Sequence, residues 1–215
     1  MSIEVLIERG EKRAFASAID WPGWARGAET PDEAVAALET HIPRYRLVAE
    51  QADVRLPTRV TLDIVETVRG SATTDFGAPD GIAKTDKRPL AKAHAERLAS
   101  LLEASWAELD RVAAHSPEEL TKGPRGGGRD RTRMLGHVFD AEASYMRSIR
   151  LDSINVSPDD ATGLRRRRAI IADAFRAARS PYPESTRKVW PYRYAARRFA
   201  WHVLDHAWEM EDRRP

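Results

Sequence analysis

Six histidines lie along this chain, at positions 41, 94, 115, 137, 202 and 206, and two of them are spaced for chemistry. In His202-Val203-Leu204-Asp205-His206 the pair stands four residues apart. On a helix that spacing puts both imidazoles on one face, with Cβ atoms roughly 5–6 Å apart, so they can converge on one metal ion. A His-x-x-x-His pair is often only two ordinary side chains, so it needs a third donor to carry weight. His137 supplies one, beside the apolar positions Met134, Val138 and Ala141 in the second turn of another expected helix. Three unpaired buried imidazoles would be costly, and one divalent ion would satisfy them together. The plainer alternative is three half-exposed rings hydrogen-bonded to Asp140, Glu142 or Asp205.

The donor set narrows the chemistry. Imidazole favours Zn, Ni or Co over Mg or Ca. Three protein ligands leave one or more positions free, the arrangement of a catalytic centre rather than a closed structural one. Asp205 or Asp140 could orient a ligand from behind. No residue pattern identifies a general base, with Asp140, Glu142 and Asp205 the nearest carboxylates. His94 opens a helix at the opposite end and is rejected as a ligand. His115 falls at a frayed helix end and reads as solvated, and His41 has no partner histidine in its own half. Trp106, Trp190, Trp201 and Trp208 could line an apolar pocket or serve as core; Trp106 reads as core, while Trp201 and Trp208 are open to either role.

The elements that must position these groups follow from periodicity. A first helix is expected over Leu90–His115, with Leu98, Leu101, Leu102, Ser105, Leu109 and Val112 on one face. The glycine cluster Gly126–Gly128 interrupts the pattern. A second helix follows the N-cap candidate Asp130 and carries Met134, Val138, Ala141, Tyr145 and Ile149. A third covers Gly163–Ala178. A fourth starts near Trp190-Pro191 and carries Tyr192, Ala196, Phe199, Val203, His206 and Met210. Four amphipathic helices with ordinary loops are most economically an antiparallel four-helix bundle. In such a bundle the second and fourth helices run parallel, which brings His137 level with His202 and His206.

The first seventy residues have the shorter period of strands. Residues 3–8 and 14–19 are β-compatible runs around a Gly10-Glu11-Lys12 turn, and Trp21-Pro22-Gly23-Trp24 is a second turn before residues 25–28. Thr30-Pro31-Asp32-Glu33 opens a helix with a capping box, and Ala34, Val35, Leu38, Ile42 and Tyr45 continue it as one stripe. Val60, Leu62, Ile64 and Val68 suggest a last strand. The expected fold class is therefore α+β, a small β-β-β-α-β N-terminal domain (1–69), a linker rich in Gly, Ser, Thr, Asp and Pro (70–89), and the helical domain (90–213). Removal of residues 1–87 is expected to leave a folded bundle.

Composition excludes several classes. With no cysteine among 215 residues there is no disulfide scaffold, thiol nucleophile or Cys-ligated zinc. The 35 Lys and Arg are nearly balanced by 33 Asp and Glu, so a nucleic-acid footprint would have to be local. The basic stretches 125–133 and 165–168 have no interleaved aromatics, and no nucleic-acid partner is expected. No run approaches the ~18 apolar residues of a membrane span, and the N-terminus lacks a signal core. The chain reads as soluble and cytoplasmic, with no membrane partner.

Arg133-Met134-Leu135-Gly136-His137-Val138-Phe139-Asp140-Ala141-Glu142 and His202-Val203-Leu204-Asp205-His206-Ala207 resemble the two signatures of the DinB/YfiT-like metalloproteins. The resemblance covers about Leu90 to Asp212. It implies a four-helix bundle with one His from the second helix and two from the fourth, holding nickel or zinc with open positions. It also implies a metal-dependent enzyme, either a transferase or isomerase using a low-molecular-weight thiol such as mycothiol or bacillithiol, or a hydrolase. A small-molecule substrate or thiol cosubstrate is the expected partner, and a thiol cosubstrate suits a chain without cysteine. Asp20-Trp21-Pro22-Gly23 with Gly27-Ala28-Glu29-Thr30-Pro31-Asp32-Glu33-Ala34 is similar to HicB-like antitoxin domains, over roughly Ile3 to Val68. No helix-turn-helix or ribbon-helix-helix follows, so this half reads as an accessory module. The competing reading is a non-catalytic metal-binding interaction protein, whose HicB-like half pairs through its sheet edge with a partner or, as a homodimer, with a second copy.

Overall fold

The structure is a computed structural model and describes residues 2–122, 128–178 and 189–215. Its class is mixed α+β, a four-stranded mixed sheet with seven helices among the described residues. β1 (Ser2–Arg9), β2 (Ala14–Ala18) and β3 (Ala25–Ala28) are followed by helices α1 (Pro31–Thr40) and α2 (Ile42–Gln51) and by strand β4 (Thr61–Arg69). The sheet order is β3-β2-β1-β4, antiparallel except for the β1–β4 pair. A bulge there opposes Val5 to Ile64 and Leu6 to Glu66, leaving Val65 unpaired.

The single helix expected after Thr30 is two helices. Thr30 and Glu33 form the capping box at its start, with Pro31 in the first turn. The apolar stripe runs on through Tyr45, but Pro43 lies within it, in the first turn of α2. Proline has no N–H to give and its ring collides with the carbonyl four residues back, so the helix stops and restarts at His41.

Residues 70–89, expected as a linker, are folded onto the sheet. They hold the short helix α3 (Ala72–Phe76) and a 3₁₀ turn, Lys84–Lys87. Side chains alternate across a strand, so β1 sends Ile3, Val5 and Ile7 to one face and Leu6 and Glu8 to the other. The first face packs on α1 and α2. The second is covered by this segment: Leu6 and Ile19 meet Ala83, and the buried Glu8 carboxylate accepts from Thr74 and from the amides of Asp80 (2.8 Å) and Gly81 (2.7 Å). Composition alone cannot reveal that a sheet has a second face to cover.

Four long helices complete the chain, α4 (Lys92–Ala114), α5 (Arg131–Ser148), α6 (Ala161–Ala177) and α7 (Tyr192–Asp212). Of the interrupting glycines, Gly126 and Gly127 lie outside the described residues, as does Arg125 of the basic stretch. Asp130 occupies the N-cap position of α5, yet its carboxylate accepts from Leu120 N and Lys122 rather than from its own helix. α4 packs along α6 and α7, and α5 along α7. Leu98, Leu102, Met134, Phe175, Phe199 and Val203 share their core.

α7 has a second apolar face, which its single expected stripe did not include. Leu204 and Trp208, with Ala104 of α4, join the core formed by β1, α1 and α2, and Trp201 joins Phe15 and Ala25. Two apolar faces bury this helix from both sides, and its charged residues lie between them. The turn before β3 approaches it so closely that a Cβ on Gly23, whose φ is +91°, would lie 2.5 Å from Leu204 Cδ1. No helix among the described residues is long and apolar enough to cross a membrane.

Candidate metal centre

His137 sits in the second turn of α5, between the buried residues Met134 and Val138 that lock the helix to its neighbours. His202 and His206 lie one turn apart on α7, flanking the buried Val203. The three rings converge. Centroids are 5.0 Å apart for His137–His202, 5.0 Å for His137–His206 and 4.7 Å for His202–His206, and one donor atom from each falls within 4.8 Å of the others. His137 Nε2 and His202 Nε2 are 3.2 Å apart. Two nitrogens each about 2.0–2.1 Å from a tetrahedral ion would be about 3.3 Å apart, so this spacing already suits a shared ligand-binding centre.

A carboxylate stands behind one imidazole. His206 Nδ1 is 2.8 Å from Glu209 Oε2, and Arg213 holds the other oxygen at 2.9 Å. With Nδ1–H donating to the carboxylate, the tautomer is set and Nε2 is the nitrogen with a lone pair for an ion. The hydrogen bond from His206 lowers the Glu209 pKa, so the carboxylate is charged. His202 is the most enclosed ring, 6 % exposed, and its Nδ1 is buried with no partner. Burial first, then the neighbouring imidazoles and Arg198 and Arg129, push the His202 pKa well below the ordinary 6.5. Burial also lowers that of His137, with His206 adding to it. Both rings are thus held neutral, the form that binds metal.

The three carboxylates expected nearest the site do not touch the rings. Glu142 is fully buried but committed elsewhere, accepting from Trp106 Nε1 and from Arg167 at 2.7 Å. Asp205 faces Arg26 of β3 at 2.9 Å. Asp140 is exposed on the outer side of α5. Glu209 takes the role assigned to them, and its signal was in the sequence: His206-x-x-Glu209 is an i, i+3 pair on one helix face.

Of the tryptophans, Trp106 is core, and Trp201 alone reaches the histidines, with its ring 6.0 Å from that of His202. Trp190 packs at a tilt against Tyr145, centroids 5.1 Å apart, and Tyr145 in turn lies 5.9 Å from His202. Trp208 turns toward the sheet against His41. The remaining histidines are engaged apart from the site. His94 lies by Asp20 (3.3 Å) and Arg193 at a cleft of about 510 Å³, His115 contacts the Arg111 carbonyl, and His41 the Ala37 carbonyl. No family model matches the chain, and no curated protein or solved structure matches it either.

Proposed function

We propose that this chain is a divalent-metal protein of the DinB-like kind, with His137, His202 and His206 as the ligands of Zn or Ni, and that it is a metal-dependent enzyme. In this reading α4–α7 form an antiparallel four-helix bundle, and the N-terminal sheet with α1 and α2 is a HicB-like module joined to it. The convergence of three imidazole donors from two helices within 4.8 Å carries the proposal. The donors fit the group. They are neutral imidazoles at chelating spacing, one of them backed by a carboxylate, and no fourth His, Asp or Glu joins them among the described residues. Three ligands leave room for a substrate atom. When bound, such an ion supplies Lewis-acid polarisation, or lowers the pKa of a coordinated water or thiol.

The chain's own part is positional. α5 and α7 hold the rings by the packing of Met134, Val138, Phe199 and Val203, and Glu209 holds the His206 tautomer. Tyr145 and Trp201 wall the His202 side and keep water from it. Transfer or isomerisation with a small thiol cosubstrate, or hydrolysis, is the chemistry proposed for this centre. Elemental analysis of untagged protein tests the reading. We expect about one equivalent of Zn or Ni in the wild type, lost in His137→Ala and in His202→Ala, as a three-ligand site requires. Absence of metal after reconstitution with both ions would end the proposal, and the interaction reading would replace it.

A further inference from the structure

Three arginines fall in the first two turns of α7, and two of them have carboxylates. Arg193 pairs with Asp20 at 3.2 Å, and Arg197 is buried against Asp86. Arg198 has none among the described residues. Its Nη1 donates to the Pro79 carbonyl, and its Nε–H is buried without an acceptor. A guanidinium carries five N–H donors, and a half-buried one with a single carbonyl acceptor is under-satisfied in both charge and hydrogen bonding.

Its position is specific. Arg198, His202 and His206 recur every four residues, so they share one face of α7, each about 6 Å further along the axis. Tyr145 and Trp201 bridge the first step. The Arg198 Cζ lies 5.0 Å from the Trp201 ring centroid and 5.6 Å from that of Tyr145, and the same two rings lie 6.0 and 5.9 Å from His202. Both rings lie within cation–π reach of the guanidinium, which places the charge beside an aromatic wall one turn from the imidazoles.

We propose that Arg198 binds the anionic group of the ligand that occupies the histidine site, and that this ligand is a small oxyanion, a carboxylate or a phosphate monoester. This rests on the metal reading above. A planar fork suits either oxyanion bidentately, and a flat organic body would lie against Tyr145 and Trp201. The pairing supplies Arg198 with the counter-charge it lacks among the described residues, while another donor atom of the ligand reaches toward the three imidazoles.

The test uses the full chain loaded with Co(II), its cobalt content fixed by elemental analysis, titrated with sodium benzoate and separately with sodium phosphate. The cobalt visible spectrum reports ligand arrival. A saturable spectral change is expected with at least one of the two, and which one responds distinguishes carboxylate from phosphate. In Arg198→Met the cobalt content is retained and the affinity for that anion falls about tenfold or more, the size of a lost charge-assisted hydrogen bond. Arg198→Lys keeps the charge without the fork and lies between. Should the Met variant misfold by circular dichroism, the Lys variant decides by the same criterion. Equal anion affinity in wild type and variant, or no response to either anion in cobalt-loaded wild type, overturns the inference alone. Failure of the wild type to hold cobalt overturns the metal reading with it.

Discussion

Two polar clusters are buried among the long helices, and both use α5. In one, Glu142 accepts from Arg167 and Trp106, and Arg167 also donates to the carbonyls of Phe139 (3.0 Å) and Ile154 (3.3 Å). In the other, five residues earlier on the same helix, His137 meets two imidazoles that bring it no charge complement, and His202 Nδ1 has no partner. The first cluster balances its charges and fills both carboxylate oxygens from within, with Arg167 Nε left without an acceptor. The second brings three imidazoles to a common point, where the ring nitrogens of His137 and His202 contact one another at 3.2 Å and His202 Nδ1 has no partner. Buried polar groups that satisfy one another hold a fold together, whereas a convergent set of imidazoles without a charge complement is what the proposed metal reading requires.

That contrast can be broken in several ways. The largest effect is expected from removing residues 1–87, where the apolar contacts of α7 with the N-terminal elements replace the expectation of a bundle that folds without them. The remainder would expose Leu204, Trp208 and Trp201, at about 1.5–3 kcal/mol for each large apolar side chain uncovered. The sum rivals a typical domain's whole stability of about 5–15 kcal/mol, so aggregation or loss of a sharp urea transition is expected. A soluble fragment that unfolds cooperatively would mean that the shared core is dispensable and that both clusters belong to an autonomous unit. Next, Arg167→Met should cost about 3–5 kcal/mol in urea unfolding, because it strands the Glu142 charge in the core. Pairing it with Glu142→Leu should recover much of that loss, and neither change should lower the metal content of folded protein. His206→Ala should do the converse, abolishing metal while far-UV circular dichroism stays helical. If Arg167→Met empties the metal site instead, the two clusters are one network.

Glu209→Ala sharpens the comparison more gently. Loss of the carboxylate behind His206 should weaken metal binding about 10- to 100-fold in a chelator competition, while the metal-free protein, which also loses the Arg213 pair, stays folded by circular dichroism. The smallest effect concerns pH. His202 and His137 have folded pKa values below the ordinary 6.5. As pH falls through 6.5 the unfolded chain takes up protons there that the folded chain refuses. Metal-free protein should therefore lose stability on that side of 6.5, and gain none above it. His202→Gln should flatten this window, whereas the losses at lower pH, where the depressed carboxylates Asp20 and Glu209 titrate, should persist.

The His202–His206 pair was legible because a helix converts a spacing of four into adjacency without reference to the rest of the fold. His137 was legible from helix order, and Glu209 could have been, by the same rule one turn on. Pro43 marked the break between α1 and α2, but an unbroken apolar stripe concealed it. The second face of α7 was not legible. Leu204 and Trp208 fit a plain core helix, and nothing local says that a sheet lies against them.

Local spacing and apolar period by themselves determined the strands, the long helices and the three histidines, because those depend on neighbours within one or two turns. Only the tertiary structure decided that residues 70–89 cover the second face of the sheet, that Glu142 is spent on Arg167, and that Arg198 stands beside Tyr145 and Trp201 with no carboxylate partner among the described residues. Each of these depends on which surfaces meet across dozens of residues. The free energy of that meeting lies in burial and charge compensation, which no short stretch of chain contains.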